Sequence, residues 1–148
     1  MTQHVMESRP FRRQHRLMDF SADTNPITKL RLVLTANATT SGLAGLTALV
    51  AGERVADWLG TAYPGWVRII GAGLVAFALA VIALSRSSER SLRRWVPTVS
   101  LADSGWVAAS IATIVAAWYS SSGAAIIGAI AAIVATFAIT QMRLLRNP

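Results

Sequence analysis

The sequence contains no cysteine, and its two histidines, His4 and His15, both precede the first apolar segment. Without cysteine the chain forms no disulfide and has no thiolate for catalysis or metal binding. The long apolar segments also lack histidine, glutamate and lysine, which excludes ordinary haem ligation and most proton relays there. We therefore expect no cofactor, no metal site and no enzymatic activity.

Charge is also scarce. Charged residues make up 14% of the chain, whereas a soluble domain has roughly 25%. A membrane-spanning helix needs about 20 apolar residues. The first two charge-free intervals each fit one such helix, and the third fits two. These intervals lie between Arg31 and Glu53, between Arg68 and Arg86, and from Ser104 to Met142.

These intervals predict an all-α polytopic membrane protein, in which residues 26–146 form four transmembrane helices in an up-down-up-down bundle. The predicted spans are 30–51, 66–85, 100–119 and 124–141. Asn25 is a suitable cap for the first helix, with Pro26 at its first position. Val55, Trp58 and Leu59 indicate one apolar side of a short interfacial turn after the first span.

Residues 1–25 are polar and basic. We expect a disordered cytoplasmic segment. A basic surface helix that lies on anionic lipid is the alternative.

The arginines and lysine indicate how the spans are oriented. Twelve of these residues fall before the first span, between the second and third, or after the fourth, and only Arg54 and Arg68 fall on the other side. This bias places both termini in the cytoplasm. It also accounts for the net charge of +7 without a nucleic-acid partner. One lysine beside thirteen arginines, in an alanine-rich chain, is typical of a GC-rich bacterial genome, so we expect the bacterial inner membrane.

Asp103 stands near the start of the third predicted span, where the sequence reads S-L-A-D-S-G-W. Ser100 and Asp103 match a capping box, and Pro97 precedes them as a helix stop. The sequence therefore favours a helix start at Ser100, with a hydrated Asp103 near the cytoplasmic interface. The alternative is an intramembrane carboxylate that marks a path for an ion or solute.

Asp103 is predicted to lie at the same depth in the membrane as two amide side chains, those of Asn37 and Gln141. Asp103 lies roughly 9 Å beyond Pro97, and Asn37 lies about as far beyond Arg31. Gln141 lies near the cytoplasmic end of the fourth span. We therefore predict a hydrogen-bonded cluster of Asn37, Asp103 and Gln141, with Thr40 or Ser41 as a further member.

A second polar group is predicted on the opposite side of the membrane. Arg68 lies about one turn inside the second helix and could pair with Glu53 or Asp57 across the hairpin. We interpret this group as an interfacial ion pair with a snorkelling arginine. The nearby G-A-G at Gly71–Gly73 follows no strand and is not a nucleotide-binding loop.

Small residues recur at four-residue spacing along the helices, as with Ser41 and Gly45 in the first. Such stripes allow close helix packing, either within one bundle or between copies of the chain. The fourth span carries the longest stripe, which consists of Ala124, Gly128, Ala132 and Thr136.

Four segments carry a resemblance to a known family: L-R-L-V-L-T-A-N-A-T-T-S-G-L-A-G-L, W-V-R-I-I-G-A-G-L-V-A-F-A, A-D-S-G-W-V-A-A-S and T-Q-M-R-L-L-R. Over about residues 27–146 the chain resembles a family of small, functionally uncharacterised bacterial four-transmembrane-helix proteins. The resemblance implies a four-helix membrane fold and no particular activity.

Two classes of function follow from the sequence. The favoured class is a non-catalytic accessory or structural protein that acts through packing with lipid, a membrane-protein partner or further copies of itself. The alternative is a small oligomeric transporter or channel with a polar site in the cytoplasmic leaflet, formed by Asn37, Asp103 and Gln141.

Overall fold

The computed structural model describes residues 25–146, and within this range the chain forms five α-helices and no strand. Four of the five are long and apolar enough to cross a bilayer, as the charge-free intervals predict. The prediction about residues 1–25 falls, apart from Asn25, outside the described range. The helices are α1 (Pro26–Val50), α2 (Gly52–Leu59), α3 (Pro64–Ser85), α4 (Glu89–Val115) and α5 (Ser121–Arg146).

The start of α1 is the one that the sequence predicts. Asn25 Oδ1 accepts a hydrogen bond of 3.0 Å from the backbone N–H of Ile27, and Pro26 opens the helix. The cap satisfies one of the N–H groups that a helix leaves free at its first turn.

The packing of α1 on α3 depends on glycine at two positions. A Cβ added to Gly45 would lie 2.8 Å from the carbonyl oxygen of Gly71, and one added to Gly71 would lie 2.7 Å from the backbone nitrogen of Leu49. The two backbones therefore touch, which only glycine permits. The stripe of Ser41 and Gly45 thus serves packing inside the chain, and its partner on α3 includes the G-A-G segment.

The prediction that a helix starts at Ser100 is wrong. The helix α4 begins at Glu89, after Ser88, whose Oγ accepts from the N–H of Ser91, and it continues through Pro97. Proline inside a helix costs about 3 kcal/mol. Leu92 and Val96, one turn apart, are completely buried against α1 and α3, and burial from water stabilises each by about 1.5–3 kcal/mol. This packing outweighs the proline.

Because α4 begins at Glu89 and not at Ser100, Asp103 is not at a helix start. At 1.5 Å per residue, Asp103 lies roughly 20 Å from the start of α4, so Ser100 and Asp103 form no capping box. Asp103 is instead an interior residue of a long helix, and it is 3% exposed.

The turn from α4 to α5 lies against the end of the short helix α2, where Ser120 N–H donates to the carbonyl oxygen of Leu59 at 3.0 Å. The helix α4 ends at Val115, four residues before the predicted end, and Ala117 adopts φ 55° in the turn to α5. A Cβ on Gly123 would lie 2.0 Å from the carbonyl oxygen of Leu59, so α5 begins in direct contact with the end of α2. The predicted turn around Val55, Trp58 and Leu59 is thus a helix that caps this end of the bundle.

The four long helices pack as two pairs, α1 with α3 and α4 with α5. Gly42 meets Ala78, and Gly45 meets Gly71 farther along α1. Between α4 and α5, Ser100 bonds to Gln141, and Ile114 approaches Gly128. The helix α5 also packs on α1, whereas α3 and α4 touch less extensively. A gap between α3 and α4 therefore runs along one side of the bundle.

Candidate functional site

Asn37, Asp103 and Gln141 meet inside the bundle, although they come from three different helices. Asn37 and Gln141 are completely buried. Asn37 Nδ2 donates a hydrogen bond of 2.8 Å to Asp103 Oδ2, and Gln141 Nε2 donates one of 3.3 Å to the same oxygen. The carboxylate thus links α1, α4 and α5.

Two serines fix the direction in which the amides donate. Ser41 Oγ donates to Asn37 Oδ1 at 3.3 Å, and Ser100 Oγ donates to Gln141 Oε1 at 3.0 Å. Because hydroxyl groups occupy both amide oxygens, the amide NH₂ groups are left to point at Asp103. Ser100, which the sequence suggested as a helix cap, is a member of this network. Ser41 also belongs to it, while Thr40 is exposed.

The two carboxylate oxygens of Asp103 differ in their hydrogen bonds. Oδ1 accepts no hydrogen bond from a described residue, because both amides donate to Oδ2. Throughout residues 25–146, every fully buried side-chain nitrogen or oxygen has a partner. Oδ1 therefore keeps some accessible surface. Because Asp103 lines the central cavity, we infer that Oδ1 faces it.

This central cavity lies between the four long helices and has a volume of about 300 Å³. Among residues 25–146, Asp103 is the only charged residue that lines it, beside the polar side chains of Asn37, Thr40 and Ser41. The remaining walls are apolar and include Leu74, Phe77, Trp106, Val134 and Phe137. The cavity thus combines apolar walls with one oriented carboxylate, the usual composition of a small-molecule site.

The carboxylate has no positive partner in the described range. The ion pairs there join Arg68 to Glu53 and Arg93 to Glu89. Arg31, two turns before Asn37, donates instead to the backbone carbonyls of Ser85 and Ser87. An isolated buried charge is unfavourable by several kcal/mol, which two amide donors offset only in part. Oδ1 is therefore suited to a proton or a cation.

The second predicted polar group, Arg68 with Glu53 and Asp57, contains one of the two predicted ion pairs. Arg68 and Glu53 form a salt bridge of 3.1 Å, and both side chains are exposed. Asp57 is exposed and forms no ion pair with a described residue. The stem of Arg68 lies across Gly52, so that an added Cβ there would be 2.5 Å from Arg68 Cγ. This geometry fits a snorkelling arginine rather than a binding site.

A second cavity of about 230 Å³ adjoins the central one at the α2 end of the bundle. The sequence indicates an interfacial turn that contains Trp58, but it does not predict that Trp58 and other aromatic residues line one cavity. The sequence did carry a signal for it, because aromatic residues stand in α2, around the start of α3 and in the turn from α4 to α5. The aromatic side chains around the cavity are Trp58, Tyr63, Trp66, Trp106, Trp118 and Tyr119. Trp106 lines both cavities, as do Ala44, Ile70 and Leu74.

A third cavity, of about 500 Å³, lies in the gap between α3 and α4. Its walls include Val81, Leu84, Trp95 and Val99, and it meets the central cavity at Phe77.

No protein-family model, curated protein or solved structure matches this chain.

Proposed function

We propose that the chain is a small multi-pass transporter or channel subunit of the bacterial inner membrane that binds a cation or a proton at Asp103. The observation that carries this proposal is that Asp103 lines an apolar cavity while both amides donate to Oδ2, which leaves Oδ1 without a donor among the described residues. Intramembrane carboxylates of this kind are rare, and they commonly mark ion and solute paths. The geometry thus favours the alternative function over the accessory role that the sequence alone favoured.

The proposed topology is an up-down-up-down bundle with both termini in the cytoplasm. Residue numbers rise along one helix of each pair and fall along the other, which supports antiparallel neighbours. The contacts are Gly42 with Ala78 and Gly45 with Gly71, and Ser100 with Gln141 and Ile114 with Gly128. The twelve arginines and lysine on one side, against two on the other, support the orientation. Asp103 then lies in the cytoplasmic leaflet.

We infer binding rather than catalysis from the partners of the carboxylate. Asp103 hydrogen-bonds to two amides and to no nucleophile, histidine or second carboxylate in the described range. Acid–base and nucleophilic mechanisms need such pairs. A homo-oligomer in the bilayer is part of the proposal, because Ala132 and Thr136 of the α5 stripe are exposed while Gly128 faces α4.

The test is a current measurement on proteoliposomes adsorbed to a solid-supported membrane, with concentration jumps of H⁺, Na⁺ and methylammonium. At least one jump should evoke a current in the wild type, and Asp103→Asn should reduce it by about tenfold or more, since the charge that attracts the cation is lost. Asp57→Asn, which removes an exposed carboxylate, should keep the current. Equal currents from the wild type and Asp103→Asn with all three cations would contradict the proposal.

The second candidate is the accessory protein, and the gap between α3 and α4 favours it. An apolar gap lined by Leu84, Trp95 and Val99 is suited to a lipid chain or the helix of a membrane-protein partner. Native mass spectrometry separates the candidates. A defined oligomer without a companion supports the transport unit, whereas a monomer that retains a lipid or another protein supports the accessory role.

A further inference from the structure

We propose that the cavity ligand is a lipophilic organic monocation, whose positive centre lies at Asp103 Oδ1 and whose apolar groups contact Phe77, Trp106 and Phe137. This inference rests on the proposed function and names its substrate class.

The composition of the central cavity disfavours a bare metal ion. Hard cations such as Ca²⁺ take six to eight oxygen ligands, and any small ion that leaves water must have its hydration shell replaced. Its polar lining consists of one carboxylate oxygen that accepts no hydrogen bond from a described residue, the Thr40 hydroxyl, and Asn37 and Ser41, which bond to each other. This set falls well short of six oxygen ligands. An organic cation is weakly hydrated, so it can enter without a full set of replacement ligands.

The size and the walls of the cavity fit such a molecule. A volume of about 300 Å³ lies at the lower end of the range of about 300–1,000 Å³ for small-molecule sites. Phe77, Trp106 and Phe137 come from α3, α4 and α5 and line the same cavity as Asp103. Aromatic faces attract cations, and most strongly where water is excluded.

The adjoining aromatic cavity provides a route from the α2 end. It is lined by Trp58, Tyr63, Trp66 and Trp118, and none of the described residues that line it is charged. It reaches the central cavity beside Trp106. A lipophilic cation would therefore pass from aromatic faces to the carboxylate without meeting a positive side chain from the part of the chain that the structure describes.

The experiment compares two ligands of the same shape. Benzyltrimethylammonium carries a permanent charge, and neopentylbenzene is its neutral isostere, with carbon in place of nitrogen. Binding of each to the full chain in lipid nanodiscs is measured by equilibrium dialysis. The wild type should bind the cation about tenfold or more tightly than the isostere, and Asp103→Asn should abolish this preference. Asp57→Asn should preserve it.

A second pair of variants tests the cavity without changing the carboxylate. Ala44→Phe adds a ring where the two cavities join and should abolish binding of the cation. Ala72→Phe adds the same ring at an exposed position of α3 that lines neither cavity, and it should bind as the wild type does.

The outcomes separate this inference from the proposed function. An Asp103-dependent H⁺ or Na⁺ current without binding of benzyltrimethylammonium would overturn the inference and leave the proposed function standing. Equal affinities for the cation and its isostere, or unchanged binding in Ala44→Phe, would also overturn the inference. The absence of both binding and current would overturn both.

Discussion

Two polar groups in this bundle handle charge in opposite ways. The outer pair, Arg68 and Glu53, joins opposite charges at 3.1 Å, and both side chains are exposed. The inner group surrounds Asp103 with the neutral amides of Asn37 and Gln141, and all three side chains are buried. The Arg68–Glu53 ion pair is thus exposed to solvent. Asp103 has no opposite charge beside it in the described range, but it has two specific hydrogen-bond donors.

The difference separates stability from function. An exposed ion pair contributes little, since water and salt already stabilise each charge. A buried carboxylate is stabilised by its two donors, so loss of a donor should lower the unfolding free energy of the protein. The same burial leaves Oδ1 available for a ligand. We expect variants of the inner group to affect folding and binding, and variants of the outer pair to affect neither strongly.

The largest expected effect comes from removal of a donor. Asn37→Leu should lower the unfolding free energy by about 2–3 kcal/mol, because a charged buried acceptor loses one of its two hydrogen bonds. Titration with sodium dodecyl sulfate, followed by tryptophan fluorescence, measures this change. Thr39→Leu places the same side chain on the exposed face of α1 and should change stability little. Equal losses in the two variants would remove the distinction between the inner and outer groups.

The next effect tests whether α4 is one continuous helix, which the interior position of Asp103 requires. Pro97→Ala should raise the unfolding free energy by roughly 1–2 kcal/mol, because it restores a helical hydrogen bond and removes a clash. Pro26→Ala is the matched control, since proline is harmless at the first position of a helix. If Pro97→Ala were as neutral as Pro26→Ala, α4 would begin after Pro97.

Part of the fold and of the candidate site could be predicted from the sequence. Charge-free intervals predict the four long helices, because lipid tolerates few charges and a bilayer has a fixed thickness. Depth along each helix also placed Asn37, Asp103 and Gln141 at one level, since the rise per residue is constant.

The start of α4 could not be predicted in the same way. Pro97 and the basic residues before it are local signals for a loop, and the burial of Leu92 and Val96 that overrides them is tertiary. The sequence could not predict that both amides donate to the same oxygen of Asp103 either. This depends on how α1, α4 and α5 meet, and on Ser41 and Ser100, which turn the amide NH₂ groups toward the carboxylate. The contact of Gly71 with Gly45 likewise depends on how two helices meet.

A smaller effect is expected when the carboxylate becomes an amide. In Asp103→Asn the side-chain carbonyl can still accept from Asn37 and Gln141, so the unfolding free energy should stay within about 1 kcal/mol of the wild type. Asp103→Leu, which leaves both amides without an acceptor, should lose about 2–3 kcal/mol. The same titration measures both. A large loss in Asp103→Asn would mean that the charge itself holds the bundle together.

The smallest effect should come from the outer pair. Glu53→Gln should lower the unfolding free energy by less than about 0.5 kcal/mol, because the salt bridge with Arg68 is exposed. The loss should vanish in 1 M salt, where the Debye length falls to about 3 Å. Glu89→Gln, in the exposed pair with Arg93, is the matched control and should behave alike. A loss in Glu53→Gln as large as that in Asn37→Leu, persisting in salt, would show that Arg68 depends on Glu53 within the membrane. The outer group would then be a second buried site rather than a solvated pair.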